Sequence, residues 1–219
     1  MSRISTTTNA GLHDFVVSEV LKPFVQPGKR AVDLGAGPGA MTQALETLGY
    51  DVIAADKFKE GYQARPRHIE IDFDQPDFAS QIGAGQFDVV TAIEVIEHVE
   101  SPIGFLRNIG RLLNPKGIAV ISTPNVDCAP ARVKFFLTGR VRAMDEFSEP
   151  THISPIFFDL LKRQYLKRAN LTLANHFLFP PKGFQNSRKL VGQVFSIASR
   201  LFNGPAVMGD NHVWVFQRS

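Results

Sequence analysis

The residues Val32-Asp33-Leu34-Gly35-Ala36-Gly37-Pro38-Gly39 join an apolar run to a glycine-rich turn. The apolar run predicts a buried strand, and residues 41–48 after the turn have the apolar spacing of a helix. A glycine-rich turn between a strand and a helix lets a ligand approach the backbone closely. The segment therefore predicts a ligand-binding unit of an α/β fold, although glycines in turns also serve backbone geometry alone.

Asp33 indicates which ligand the turn accepts. A carboxylate two residues before Gly35 would repel the pyrophosphate of a dinucleotide. S-adenosylmethionine (SAM) has no phosphate and carries an ammonium and a sulfonium, which a carboxylate attracts. The glycine spacing is GxGxG, whereas the dinucleotide fingerprint is GxGxxG. Both features favour SAM.

Length and composition limit the class of protein. A chain of 219 residues with 44% hydrophobic residues predicts one α/β domain over residues 1–219. A single cysteine, Cys128, excludes an internal disulfide and is typical of a reducing compartment. The sequence has no apolar run long enough to span a bilayer and no signal-peptide pattern at its N-terminus. We therefore expect a cytoplasmic protein.

Charge is distributed unevenly along the chain. Residues 1–128 contain 11 Lys and Arg against 16 Asp and Glu, whereas residues 129–200 contain 12 against 4. A basic half favours an anionic partner, such as a phosphorylated or carboxylated substrate, a nucleic acid or an anionic lipid surface. A solvated face that only keeps the protein soluble explains the bias equally well.

Strand and helix patterns alternate over the first part of the chain. This alternation predicts a parallel, doubly wound sheet with a helix over one end. The predicted strands are 31–34, 51–55, 68–71, 87–92 and 118–122, and the predicted helices are 12–24, 41–48 and 103–113.

The later part of the chain predicts a lid and an edge pair of strands. Residues 126–153 are rich in loop signals, which is typical of a lid inserted in a compact domain. Ser154-Pro155 predicts the start of a helix that runs to about residue 169. Residues 171–177 and 213–216 predict the edge strands. Residues 186–202 predict an amphipathic helix that packs against the core or a second copy in a homodimer rather than on a membrane.

Two further acids follow predicted strands. Asp56 lies 21 positions after Gly35, where a carboxylate accepts hydrogen bonds from ribose hydroxyls. Asp72 could accept from an adenine amino group, with Phe73 beside the ring. Asp72 could also cap a turn.

Several segments in this order resemble the class I SAM-dependent methyltransferases of the type 11 and type 23 groups. They are Asp33-Leu34-Gly35-Ala36-Gly37-Pro38-Gly39, Phe87-Asp88-Val89-Val90-Thr91-Ala92 and Leu113-Asn114-Pro115-Lys116-Gly117-Ile118. The resemblance is clearest over residues 12–125. It implies a Rossmann-like, seven-stranded sheet of order 3-2-1-4-5-7-6 with the last strand antiparallel. It also implies that SAM contacts Asp33, Gly35, Ala36, Gly37, Asp56, Lys57, Asp72, Phe73 and Ile93.

Glu94, Glu97 and His98 suggest how an acceptor is activated. On a helix these positions share one face, and carboxylate and imidazole groups bind Mg²⁺, Mn²⁺ or Zn²⁺. The segment resembles ubiquinone-pathway O-methyltransferases and also small-RNA 2′-O-methyltransferases, in which Ser-Thr-Pro-Asn and a later histidine follow. Here those are Ser122-Thr123-Pro124-Asn125 and His152.

The RNA-enzyme resemblance implies a divalent metal held by Glu94, Glu97, His98 and His152, with His98 and His152 as catalytic residues. The cation would lower the pKa of an acceptor hydroxyl, whose oxygen then attacks the sulfonium methyl in line. Many methyltransferases carry a similar Glu-His pair without a metal. In those enzymes the residue at the position of His98 packs or hydrogen-bonds near the cofactor.

The predicted lid mixes basic and aromatic residues, namely Arg132, Lys134, Arg140 and Arg142 with Phe135, Phe136 and Phe147. They could grip an anionic or ring-bearing acceptor, or the phenylalanines could dock the lid on the core. Because no added RNA-binding domain is evident, we expect methyl transfer to an oxygen of a small or lipid-linked metabolite. Metal-dependent RNA 2′-O-methylation is the alternative.

Two readings of another class stay open. One is a NAD-dependent oxidoreductase, which Asp33 and the GxGxG spacing oppose, and for which no Tyr-x-x-x-Lys pair is evident. The other is a non-catalytic SAM-binding protein.

Overall fold

Seven strands form one sheet of order β3-β2-β1-β4-β5-β7-β6 in the computed structural model. The structure describes residues 4–6, 8–185 and 204–219. Strand β7 runs antiparallel to both β5 and β6, and the other pairs are parallel. The strand order and the antiparallel β7 confirm the predicted fold. The strands are β1 Arg30–Leu34, β2 Asp51–Asp56, β3 Arg67–Glu70, β4 Phe87–Ile93, β5 Leu113–Pro124, β6 Leu171–Phe179 and β7 Asn211–Arg218.

Helices cover both faces of the sheet. Helix α1 begins at Leu12–Phe15 and continues as a π-helical stretch, Val16–Leu21, and a 3₁₀ turn, Lys22–Phe24. Helix α6 likewise combines Phe158–Leu160, Leu161–Tyr165 and Leu166–Ala169. The other helices are α2 Ala40–Thr47, α3 Phe78–Ile82, α4 Pro102–Leu112 and α5 Ala129–Thr138, with a 3₁₀ turn at Ile96–His98.

Two apolar cores lie on opposite faces of the sheet. Helices α1 and α2 pack on one face, around Leu12, Val16 and Leu45. Helices α3, α4 and α6 pack on the other, around Phe78, Phe105 and other buried side chains. Parallel strands that are buried on both faces have nearly continuous apolar sequences, as the central strands β1 and β4 of this sheet do. The strand order reverses between β1 and β4, and ligands of open α/β sheets bind at that switch point.

The structure corrects two predicted boundaries and the predicted structure of the lid. Helix α6 begins at Phe158 rather than at Pro155. The hydroxyl of Ser154 donates to the carbonyl of Val99 instead of capping a helix, and the N–H of Phe158 donates to Asp127. The lid was predicted to be rich in loops but contains helix α5. Strand β5 begins at Leu113 rather than at residue 118.

Some predictions concern residues or properties that the structure does not describe. The predicted helix at 186–202, and with it the homodimer, lies outside those residues. Cys128 is buried and unpaired, and the cytoplasmic location inferred from it stays a prediction, as does a single domain over 1–219. Among the helices described, none is long and apolar enough to cross a membrane.

Candidate active site

A cavity of about 800 Å³ opens at the carboxyl ends of β1 and β4. The glycine turn after β1 forms one wall, and Ile93 and Glu94 at the end of β4 form a second. Lid residues, among them Arg142 and His152, and N-terminal residues such as Thr6 and Asn9 also line the cavity. The cavity therefore lies at the switch point of the sheet.

The glycine turn needs its glycines for two different reasons. Gly35 has φ 71°, and a Cβ added there would lie 2.3 Å from Cγ2 of Val95. Gly37 has φ 49°, and an added Cβ would meet nothing within 4 Å, because the residue faces the cavity. The N–H of Gly37 donates to Oδ2 of Asp56 at 2.8 Å. Gly35 thus allows close packing, and Gly37 leaves space for a ligand.

Asp33 lies in β1 two residues before Gly35, lines the cavity and is only 1% exposed. Its oxygens accept hydrogen bonds from the hydroxyls of Thr42 at 2.7 Å and Thr91 at 2.8 Å. Burial raises the pKa of Asp33 to about 6, and the two threonines oppose that rise. A cation in the cavity would favour the ionised form of this carboxyl group.

The predicted adenine and ribose residues lie at the ends of β2 and β3, beyond the cavity lining. Asp56 is the last residue of β2. The ammonium of Lys57 lies 2.7 Å from Oδ2 of Asp72, and this hydrogen bond lowers the pKa of Asp72. The ring of Phe73 packs edge-on against Phe78 and Phe105, with centroids 5.3 and 5.6 Å apart.

The predicted helical face of Glu94, Glu97 and His98 is wrong. Glu94 has a left-handed backbone, with φ 58°, and only Ile96–His98 forms a short 3₁₀ turn. The N–H of Glu94 donates to the carbonyl and the hydroxyl of Ser122, at 3.2 and 3.0 Å, so this residue stays tied to β5. A left-handed non-glycine residue is strained, which is typical of functional sites.

Glu94 holds a hydrogen-bond network between three segments. Its Oε1 accepts from Ser122 at 2.7 Å, and its Oε2 accepts from the amide of Asn211 at 2.6 Å. Asn211 in turn accepts from the amide of Asn9 at 2.5 Å. Burial raises the pKa of Glu94 to about 7. Asn9 and Asn211 were not predicted, because no local pattern marks them.

Glu97, His98 and His152 form a cluster. Their ligand atoms lie within 4.8 Å of one another, although His152 comes from the lid. Glu97 is fully buried; its Oε2 accepts from Thr123 at 2.9 Å, and its Oε1 has no hydrogen-bond partner among the described residues. Burial and the charge of Glu94 raise the pKa of Glu97 well above its usual range.

The two histidines form the same kind of hydrogen bond, in which Nδ1 contacts a backbone carbonyl. Nδ1 of His98 lies 3.1 Å from the carbonyl of Thr151, and Nδ1 of His152 lies 2.8 Å from the carbonyl of Ala143. Since a carbonyl oxygen only accepts, each Nδ1 carries a proton, and in the neutral form of each ring Nε2 is the nitrogen with a lone pair. Burial lowers the pKa of His98, and the neighbouring His152 lowers it further.

This donor set suits a divalent cation. Two imidazoles and a Glu97 oxygen that has no partner in the described part of the chain are groups that bind Zn²⁺ and Mn²⁺, and Nδ1–H bonds to carbonyls are usual for ligating histidines. The structure brings together three of the four predicted ligands. Glu94 lies beside them with both oxygens hydrogen-bonded.

One expectation was that the basic side chains of the lid bind an anionic acceptor, but these side chains are paired with groups of the protein itself. Lys134 pairs with Asp145 at 2.5 Å and Arg140 with Glu146 at 2.6 Å, both within the lid. Arg142 pairs with Asp210 at 2.5 Å, and Nε of Arg132 donates to the carbonyl of Asp127. The partners of these cations are remote or in loops, so the charge count alone could not reveal them.

The lid phenylalanines are exposed rather than docked on the core. Phe135, Phe136 and Phe147 are 56%, 86% and 79% exposed. Leu137 beside them is 71% exposed. The expectation that these rings fasten the lid to the core is therefore wrong.

The fold and the site define a class I SAM-dependent methyltransferase. The chain matches the family model of the methyltransferase domain over residues 12–186 and belongs to that family. It is 31% identical over 204 residues to the ubiquinone biosynthesis O-methyltransferase of Roseobacter denitrificans, covering 88% of this chain and 78% of that relative.

Two further comparisons agree with this membership. The chain is 37% identical over 106 residues to the ubiquinone biosynthesis O-methyltransferase of Caulobacter sp. (strain K31), covering 45% of this chain and 42% of the relative. The chain therefore matches less than half the length of that relative. A solved SAM-dependent methyltransferase from Archaeoglobus fulgidus shares the fold with a TM-score of 0.62, 15% identity and 94% of both chains.

Proposed function

We propose that the protein transfers the methyl group of SAM to an oxygen of a small or lipid-linked metabolite. One observation carries the proposal: His98 and His152 line the same cavity as Gly37. A cofactor on the glycine turn and an acceptor at the histidines would therefore share one cavity. The relatives named as ubiquinone biosynthesis O-methyltransferases support oxygen as the acceptor atom.

The residues around the turn suit SAM. Gly35, Ala36, Gly37 and Ile93 would hold its methionine part close to the backbone, and the charge of Asp33 favours a cationic ligand. Beyond the cavity lining, Asp56 would accept from the ribose hydroxyls, and Lys57, Asp72 and Phe73 would border the adenine. When bound, SAM supplies an electrophilic methyl group on its sulfonium.

Glu97, His98 and His152 would hold a divalent cation at the acceptor end. Three protein ligands leave coordination positions open, as in catalytic metal sites, and a cation there would lower the pKa of an acceptor hydroxyl. Glu94 would then orient the turn through Ser122 and Asn211 rather than bind the cation directly. His98 and His152 would also exclude water and position the acceptor oxygen.

The exposed apolar side chains of the lid support a lipid-linked acceptor. Phe135, Phe136 and Leu137 lie on one exposed stretch of α5, and Phe147 both lines the cavity and is exposed. Phe135 directly follows Lys134, which lines the cavity, and clustered exposed apolar groups often mark a ligand-binding surface. An RNA acceptor has less support, because Lys134, Arg140 and Arg142 are already paired with carboxylates.

The experiment is a methyl-transfer assay with labelled SAM. Hydroxylated aromatic acceptors with and without an alkyl tail are compared with RNA oligonucleotides, each with Mn²⁺ or Mg²⁺ and with EDTA. We expect label on the hydroxylated aromatics, loss of transfer in EDTA and recovery on adding the metal. Transfer that survives exhaustive EDTA treatment contradicts the metal, and label found only on RNA contradicts the acceptor class.

A further inference from the structure

Among the three lid cations that pair with carboxylates, Arg142 has the least exposed side chain. Its side chain is 17% exposed, and Nη2 lies 2.5 Å from Oδ1 of the buried Asp210. Nη1 lies 2.9 Å from Sγ of buried Cys128. Asp210 lies directly before β7, so this ion pair ties the lid to the sheet. The pairs of Lys134 and Arg140 stay within the lid.

The residue after Arg142 holds the imidazole of His152. Ala143 has a left-handed backbone, with φ 66°, and its carbonyl accepts from Nδ1 of His152 at 2.8 Å. The orientation of that carbonyl depends on the backbone that Arg142 anchors. An unusual backbone conformation in a non-glycine residue needs such support from its surroundings.

The main chain next to His152 is fixed separately. The N–H groups of Ile153 and Ser154 both donate to the carbonyl of Glu97 at 2.9 Å. The hydroxyl of Ser154 donates to the carbonyl of Val99. The backbone beside His152 is thus fastened to the 3₁₀ turn, whereas the orientation of its ring depends on the carbonyl of Ala143.

We propose that Arg142 is a positioning residue for this reaction. Through Asp210 it holds the carbonyl of Ala143, and that carbonyl keeps the His152 ring protonated at Nδ1 and directed at the cluster with Glu97 and His98. Orientation of a ligating histidine by a hydrogen bond on its other nitrogen is a general requirement of metal sites. The inference rests on the proposed function, since it gives His152 a ligand role.

The first test is histidine NMR on the metal-free ¹⁵N-labelled protein, with His152→Gln to assign the signal. We expect the Nδ1–H form of His152 in the wild type and in Arg142→Lys, which keeps the charge beside Asp210. Arg142→Met should give a mixture of tautomers. The control Arg163→Met removes a surface ion pair with Asp159 and should change nothing. An unaltered His152 tautomer in Arg142→Met overturns the proposal.

The second test is Mn²⁺ binding by calorimetry. Arg142→Met should bind Mn²⁺ about tenfold more weakly than wild type, as is usual when the support of a metal ligand is lost, while its affinity for SAM is unchanged. Equal Mn²⁺ affinity in wild type and variant contradicts the proposal. A wild type that binds no Mn²⁺ removes the proposed metal site, and the NMR result still decides the role of Arg142. If Arg142→Met fails to fold, Arg142→Gln takes its place.

Discussion

The rings of His98 and His152 meet edge to face with centroids 4.7 Å apart, at an interplanar angle of 70°. His98 ends the short turn after β4, and His152 ends the lid. The two rings meet because the lid returns along that turn and its main chain donates to the carbonyl of Glu97. The lid therefore supplies one of the three side chains of the cluster.

The Glu97→Gln variant tests whether Glu97 is a metal ligand or has only a structural role. The amide keeps the shape of the neutral carboxyl group that the raised pKa of Glu97 favours without a metal, so the metal-free variant should be about as stable as wild type. Metal-dependent methyl transfer should fall by at least about tenfold. Thermal unfolding and initial rates check both effects, with the exposed Glu100→Gln as control. Undiminished transfer in Glu97→Gln would exclude this residue as a ligand.

Gly35→Ala and Gly37→Ala should fail in different ways. The new Cβ at Gly35 would clash with Val95, so we expect destabilisation of roughly 2–4 kcal/mol in chemical unfolding. The Cβ at Gly37 points into the cavity, so this variant should lose about 1 kcal/mol of stability and most of its SAM affinity. Calorimetry with SAM distinguishes them. Normal SAM binding by Gly37→Ala would show that the turn is not the cofactor site.

The raised pKa of Asp33 predicts that the free energy of unfolding depends on pH. Its pKa is about 6 in the folded protein and has an ordinary value of 3.8, so the native state binds this proton more tightly. Stability should therefore fall as pH rises from about 4 to about 6, by at most roughly 3 kcal/mol relative to Asp33→Asn.

Denaturant unfolding of wild type and Asp33→Asn at several pH values measures this difference. Saturating SAM should reduce the difference, because a cation beside Asp33 favours the ionised form. A constant difference between the two proteins from pH 4 to 7 contradicts the raised pKa.

The exposed lid rings predict a preference for tailed acceptors. The double variant Phe135→Ser, Phe136→Ser should raise the KM for an alkyl-tailed acceptor severalfold, since each lost apolar contact is worth about 0.5–1 kcal/mol. The KM for the untailed acceptor and kcat should not change. Phe157→Ser, a ring exposed elsewhere, is the control. Equal effects on tailed and untailed acceptors would count against a lipid-linked substrate.

The sequence predicted the sheet because its strands are apolar and alternate with helices, and because the glycine turn follows the first strand directly. It could not predict that Glu94 adopts a left-handed backbone, since the spacing of Glu94, Glu97 and His98 also suits a helix. The partners of Arg142 and Glu94 were equally hidden, because Asp210 and Asn211 lie far away in the chain. Long-range polar contacts, rather than local patterns, complete this site.

The most direct measurement is a titration of the SAM-bound protein with Mn²⁺, followed by the electron paramagnetic resonance signal of the free ion. We predict one Mn²⁺ site per chain in the wild type, and binding at least about tenfold weaker in each of Glu97→Gln, His98→Gln and His152→Gln. A wild-type protein that leaves the free signal unchanged, or variants that bind as the wild type does, would contradict a metal-assisted methyl transfer at this cluster.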